Sequence, residues 1–575
     1  MLRRQPCYNR DPVTFVWTSP LGPVFLLVAG VLLLVVGGRY VRPWSLLPAG
    51  IAGLALLDWL ILRGTLSRAQ LLWSWSAPLS LPTVLQLNLP GEAWMVGLII
   101  LLLVPVLLVA PGWEVRPGFV DPRVWVLLLA GAALLVLMAG NWLTLLPVWT
   151  ALWVLMGLVI GAPGAGQVWA WGMFSGLAMM AAPLFNGGRT LEMPLAPSAL
   201  NAQAQWLVIV AAAILLAAYP FHLWLSGIAA AETTATARLT AGHIVPALAV
   251  LALLGRLDLS LLASQLWVPL GAMALLGSAL AAWASRRERL TLTLLGINRT
   301  TWAMLVVGLE SSQALLLVLT LGLGVALWWL GHWLRRHMGW RWPLGLAVAV
   351  LSGMPFTPGF APTLTLARLA TVPVGVPGWL AVLGGQTLLV ATLLRHLSSA
   401  ASPEPVAPTA SYGVSSNPMN GHRSWVPVRW RGRAHLLVRL GSLILTGGLT
   451  LAYALNPGIL AVLSGTDVEA TGVPLPNSAL TLPAQAGWGG WLTLVLPLGL
   501  GWLLSRHDER WFGGLQSWRE TVGRIATLNW LSRGLGRVGH YLVIGIGYGA
   551  DLVDGAGQFG YVLLVILLAW LLLRG

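Results

Sequence analysis

The sequence predicts an all-α polytopic membrane protein with about sixteen transmembrane helices, two inverted repeats with broken helices and a C-terminal lateral amphipathic helix. Three observations predict it. Of the 575 residues, 57% are hydrophobic and only 9% charged, whereas soluble domains carry about 25% charged residues. Apolar runs of ~20 residues, the length that crosses a bilayer, recur along nearly the whole chain. Two of these runs are interrupted by proline in a similar way, at Tyr219-Pro220-Phe221-His222 and at Met354-Pro355-Phe356-Thr357-Pro358.

Taken in order, Leu21 to Gly38 reads as a first spanning helix and not as a cleavable signal, because many spans follow. Others lie near 44–62 and 92–111, and the run from 123 to 162 is long enough for two, with the joint near Gly140-Asn141. Further runs fall near 168–186, 203–225, 236–256, 266–284, 290–309, 312–334, 343–362 and 377–397, and the last near 436–456, 487–504 and 557–573. The chain divides into N-terminal transmembrane helices (1–122), a first repeat (123–256) and a second (257–400). A Pro- and Ser-rich linker (401–435) is expected to be mobile. C-terminal transmembrane helices (436–505), a lateral amphipathic helix (506–556) and a terminal anchor (557–575) complete it. In the lateral stretch Trp511, Leu515, Trp518, Val522, Ile525 and Leu528 form one apolar stripe, with Arg519, Arg524 and Arg533 off it.

The 33 basic residues are all arginine. Arginine stays protonated, whereas a buried lysine readily shifts its pKa, so no lysine is available to shuttle protons. The net charge of +15 is read as cytoplasmic loop charge, not as a nucleic-acid footprint. One side collects Arg39, Arg42, Arg116, Arg123, Arg286, Arg287, Arg289, Arg335, Arg336, Arg341 and Arg423 to Arg439. The positive-inside rule then puts both termini outside the cytoplasm of an inner membrane. The single cysteine, Cys7, excludes an internal disulfide and a cysteine metal cluster. No metal spacing, phosphate-binding loop or nucleophile–base pair is present, so neither a bound cofactor nor a catalytic residue is expected.

A helix break inside a bilayer is tolerated only where protein or a water-filled cavity satisfies the freed backbone groups. Paired breaks at Pro220 and at Pro355 and Pro358 therefore point to an inverted-repeat transporter; the alternative is two ordinary proline kinks. Near the first break Glu232, Thr236, Thr240 and His243 are spaced to share one helix face. His243 is either a relay, since histidine titrates near 6.5, or a residue hydrogen-bonded to threonine or a backbone carbonyl. His222 is either a ligand of backbone groups at the break or a proton carrier. Arg299 sits mid-span, where an arginine costs ~2.5–3.5 kcal/mol. It is a fixed charge on a hydrated axis or half of an ion pair with Glu232 or Glu310. Asp58, Arg63, Arg238, Arg256, Asp258 and Glu310 fall near helix ends, where snorkelling is expected. His332, His337 and His396 read as solvated loop residues beside arginines.

His222-Leu223-Trp224-Leu225, then Thr233, then Thr240 to Val245 resemble a segment of the proton-conducting antiporter-like membrane subunits. Met138 to Leu145 with Trp149, and Gly353 to Phe360, resemble two more of that family's segments. These subunits occur in respiratory complex I (NADH:quinone oxidoreductase), in multisubunit cation/proton antiporters and in membrane-bound hydrogenases. The long tail resembles the distal, largest such subunit of complex I. The resemblance implies a non-catalytic, antiporter-like membrane-arm subunit of a complex-I-like, proton-translocating, quinone-linked assembly. Its partners would be other membrane-arm subunits and lipid, not nucleic acid. The alternatives are a membrane subunit of an energised inorganic-carbon or cation/proton transporter, and a structural scaffold without conduction. The departures are specific. By the same resemblance, Thr150 stands where the family has a membrane-embedded glutamate and Leu215 where it has a lysine. Thr240 stands at the family histidine, and Thr363 near a lysine or acid beyond the second break. None of these side chains titrates usefully, so the usual proton path is expected to be degenerate.

Overall fold

The structure is a computed structural model that describes residues 20–37, 46–65, 70–76, 82–110, 113, 120–186, 195, 200–230, 234–257, 267–371, 375–398, 428–464, 478–485, 487–512, 516–528, 530–531 and 534. It is an all-α bundle with one small hairpin. In order, α1 (Gly22–Gly37) and α2 (Leu47–Ile61) precede strands β1 (Gln70–Ser76) and β2 (Pro82–Leu87). Then come α3 (Gly91–Leu108), α4 (Pro122–Met138), α5 (Trp142–Ile160), α6 (Ala162–Phe185), α7 (Ala202–Leu215), α8 (Leu223–Ala230), α9 (Thr236–Arg256) and α10 (Trp267–Ala284). The second half holds α11 (Glu288–Leu309), α12 (Ala314–Met338), α13 (Trp342–Ser352), α14 (Phe360–Thr365) and α15 (Val376–Ser398). The tail adds α16 (Val428–Leu455), α17 (Ile459–Ser464), α18 (Ser478–Gln485), α19 (Gly487–Phe512) and α20 (Gln516–Ala526).

Among the described residues ten helical segments are long and apolar enough to cross a membrane, and five shorter apolar helices accompany them. They fall where the apolar runs predicted spans, except that the runs 203–225 and 343–362 are each split at their proline-containing break. The joint expected at Gly140-Asn141 separates α4 from α5, because the Asn141 side chain accepts the Thr144 amide at 2.9 Å and caps α5. The span near 557–573, residues 401–427 of the expected linker and most of the lateral stretch lie outside the described residues, and the linker's last residues, from Val428, are instead the start of α16.

Helices α3, α9, α11 and α12 form the buried centre, and the outer faces of α1, α6, α16 and α19 present Leu32, Met173, Phe174, Ile444 and Trp502 outward. Large apolar side chains facing out from every peripheral helix identify a lipid-facing belt. The hairpin was not anticipated. Its strands are antiparallel, pairing Gln70 with Leu87 and Ser76 with Pro82. It leans on the α4–α5 joint, where the Gly140 amide donates to the Gln86 carbonyl at 2.8 Å and the Asn88 amide to the Met138 carbonyl at 2.7 Å.

The tail helix α20 is amphipathic as expected, but its apolar stripe faces away from the protein. Trp518 and Ile525 are half or more exposed, while Arg519 is buried against the bundle. Arg519 Nη1 donates to Asp508 Oδ2 at 2.8 Å and Nη2 to the Trp283 carbonyl at 2.6 Å, with the guanidinium 4.4 Å from the Trp283 ring centre. Arg395 reaches the same Asp508 oxygen at 3.4 Å. Arg519 and Ala526 thus meet the bundle, while Trp518 and Ile525, together with the polar Glu520, Thr521 and Arg524, face away from it.

Candidate functional site

Both helix breaks are built from the same backbone device. At the end of α7 the amides of Ala217 and Ala218 donate to the carbonyls of Ile214 and Ala213, with Ala217 left-handed at φ 48°. At the end of α13 the amides of Gly353 and Met354 donate to Val350 and Ala349, with Gly353 left-handed at φ 71°. Each is a Schellman motif, in which a left-handed residue turns the chain and satisfies two terminal carbonyls. The carbonyls left over in each last turn point into the bundle.

Two basic side chains take them up. His243, on α9 and 2% exposed, bonds the Leu216 carbonyl through Nε2 at 2.8 Å. A carbonyl only accepts, so Nε2 carries the hydrogen and Nδ1 is the acceptor nitrogen. That nitrogen faces Gly296 of α11, where an added Cβ would stand 3.5 Å from it. Arg299, on α11 and 3% exposed, donates through Nη1 to the Leu351 carbonyl at 2.9 Å. Its Nη2 donates to Asn298 Oδ1 at 2.8 Å and Gln386 Oε1 at 3.1 Å, and its Nε to Asn298 Oδ1 at 3.2 Å. The Trp302 ring centre lies 4.9 Å from the guanidinium carbon. Helix α11 serves both breaks, since Thr301 Oγ1 also accepts the Tyr219 amide at 3.0 Å.

These residues share a cavity of about 70 Å³, lined in part by Thr236, Thr240 and His243 of α9 and by Thr293, Gly296 and Arg299 of α11. A water needs about 10–15 Å³ of such volume, so the cavity has room for several. Trp328 and Trp329 of α12 and Leu389 and Leu393 of α15 close its far wall. The lining runs from mid-bundle toward the end where α9 and α11 begin and α12 and α15 finish, the end that carries Arg286, Arg287, Arg335 and Arg395.

Of the residues singled out in the sequence, Thr236, Thr240, His243 and Arg299 therefore come together. Glu232 lies outside the described residues, as does Asp258. His222 is buried in the first break, stacked on Tyr219 at 4.7 Å, with the backbone of Pro220 and Thr527 beside its ring; it does not line the cavity. Pro220 follows a cis peptide bond, and Pro355 and Pro358 lie in the second break between α13 and α14. Thr150 sits on the outer face of α5, bonded to the Leu146 carbonyl at 3.1 Å. Leu215 is fully buried at the end of α7, and Thr363 is spent on the Gly359 carbonyl at 2.8 Å.

Three expectations are corrected. Glu310 is not the partner of Arg299: its carboxylate is bonded by Ser312, Gln313 and Thr365 at 3.1–3.4 Å, and Arg299 is held by neutral dipoles instead. His332 and His396 are not in solvated loops. They lie on α12 and α15 and pack edge-on against Trp328, with ring centres at 5.0 and 6.1 Å; among the three, His337 is exposed as expected. Arg256 does not snorkel outward but turns into the α4–α5 joint, donating to the Leu137 and Ala139 carbonyls at 3.0 and 3.2 Å. Gln386 was missed. The one polar amide in the apolar run 377–397 was its only signal.

No protein-family model and no curated protein matches the chain. Solved structures do. A chain of the Mrp complex from Dietzia sp. DQ12-45-1b aligns over 92% of this chain and 60% of that one, with a TM-score of 0.64 at 16% identity. This chain thus spans about three fifths of that relative's length. A chain of respiratory complex I from Thermus thermophilus with bound aureothin aligns over 84% of this chain and 98% of that one, at 17% identity and a TM-score of 0.46. The likeness to the Mrp chain shows that the two chains share a fold.

Proposed function

From that shared fold, we propose that the chain is an antiporter-like membrane subunit of a multisubunit, proton-translocating, energy-converting assembly, and that its proton path is rewired through His243. The observation that carries this reading is the meeting of His243 and the threonine stripe in one cavity at the first helix break. Protons arrive from the arginine-rich end along the cavity, past Thr236 and Thr240. The Nδ1 lone pair of His243 accepts one, because Nε2–H is held by the Leu216 carbonyl and the tautomer is fixed. The resulting imidazolium keeps its Nε2–H on the Leu216 carbonyl and gives the Nδ1 proton back to a water of the cavity, which restores the starting tautomer. Arg299 holds the second break in place and adds a fixed positive charge to the same space.

A scaffold reading is favoured by one specific observation: at Thr150, Leu215 and Thr363 the chain has no group that titrates in a useful range. One experiment separates the two. The native assembly, reconstituted in proteoliposomes, is assayed for proton translocation with wild-type chain and with His243→Gln. Glutamine can still donate to the Leu216 carbonyl but cannot carry a proton, so translocation is expected to fall at least tenfold while the assembly stays intact. Unchanged translocation in the variant would remove His243 from the path and leave the scaffold reading.

A further inference from the structure

We propose that the cavity binds a small monovalent anion, of the size of chloride, with Arg299 as its counter-charge. The inference is independent of whether the chain conducts protons. Its basis is an arginine whose charge, among the described residues, is met by dipoles and the Trp302 ring and by no carboxylate. The guanidinium has five N–H donors. Four are engaged by Asn298, Gln386 and the Leu351 carbonyl, which leaves one N–H on Nη1. Among the described residues no carboxylate stands within ion-pair distance of Arg299, and the candidate nearest in sequence, Glu310, is committed elsewhere. An arginine does not relieve such burial by losing its proton as a lysine does, and buried charges are otherwise paired.

The surroundings favour an anion and select against a cation. Arg299 lines the cavity, whose remaining wall near it is apolar, with Leu295, Leu321, Leu351 and Leu389. In a weakly polar space Coulomb attraction is many times stronger than in water. The fixed positive charge repels Na⁺ or K⁺ from the same volume. By the measure used above, the volume of about 70 Å³ holds a monatomic or three- to four-atom ion together with water. The arginine-rich end toward which the cavity runs raises the local concentration of anions.

The test uses the full-length chain in nanodiscs of neutral lipid, prepared in gluconate. Chloride is titrated and the ³⁵Cl NMR linewidth recorded. The expected result is saturable excess broadening, reversed by nitrate, retained in Arg299→Lys and reduced at least tenfold in Arg299→Gln. Because Arg299→Gln removes a donor from Leu351 and can misfold, Thr240→Glu is the second variant. It keeps Arg299 and places a carboxylate in the cavity, and it is expected to abolish the broadening as well. Absence of saturable broadening in the wild type, or its survival in both Arg299→Gln and Thr240→Glu, overturns the proposal. No proton gradient enters the measurement, so this result and that of the His243→Gln assay stand apart.

Discussion

The two helix breaks share a backbone and differ in what they hold. Both end a half-helix in a Schellman turn, and both offer a last-turn carbonyl to a basic side chain on a neighbouring central helix. The C-terminal end of a helix carries partial negative charge, so a donor or a cation suits either position. At the first break the donor is an imidazole with a second nitrogen open to a cavity. At the second it is a guanidinium, charged throughout the physiological range. On the proposed path the first break would exchange protons, and the second would only bias them. A helix break alone therefore does not make a proton site; the titration range of the side chain that reads its carbonyl does.

The backbone turns themselves can be set against each other. Gly353→Ala should give the largest effect. It forces a Cβ into a left-handed position, 2.8 Å from the Gly359 carbonyl oxygen and against Thr363. Left-handed strain of ~1–2 kcal/mol and overpacking of ~1–3 kcal/mol together predict a loss of about 3 kcal/mol in an SDS unfolding titration. Next, His243→Leu leaves the Leu216 carbonyl buried without its donor, for a loss of ~1–3 kcal/mol by the same titration. Unlike His243→Gln, it should also loosen amide exchange in the last turn of α7. The smallest effect is expected from Ala217→Gly. Relief of left-handed strain is offset by about 0.8 kcal/mol for a buried methyl group and by the added freedom of glycine in the unfolded chain. Stability should therefore change by less than ~1 kcal/mol. A large loss there would mean that the first turn is held by side-chain packing and not, like the second, by its glycine geometry.

Much of this was legible in the sequence. The spans follow from apolar length, and the breaks from proline within apolar runs. His243 and Arg299 stood out because a polar residue in a membrane helix needs a reason. What was not legible is the identity of their partners. The sequence offered Glu310 for Arg299, but the described residues supply a backbone carbonyl and two side-chain amides, and any carbonyl looks like every other in a sequence. The inward turn of Arg519 was hidden for a related reason, since periodicity shows that a helix has two faces but not which one meets lipid. The hairpin did leave a signal, the alternation Trp73-Ser74-Trp75-Ser76, a period-two pattern. It was masked by the apolar composition on both sides.

The depth of His243 has an electrical consequence. From Thr236, where α9 begins, to His243 is 243 − 236 = 7 residues, or about 10 Å along the axis. That is roughly a third of a ~30 Å hydrocarbon core. On the proposed path, with Thr236 at the membrane edge, a proton that reaches His243 from the arginine-rich end falls through about a third of any transmembrane voltage, ~0.8 kcal/mol for each 100 mV. Occupancy of this one imidazole would then shift about fourfold per 100 mV at constant pH on both sides, so that on the proposed path the residue would read voltage as well as proton concentration.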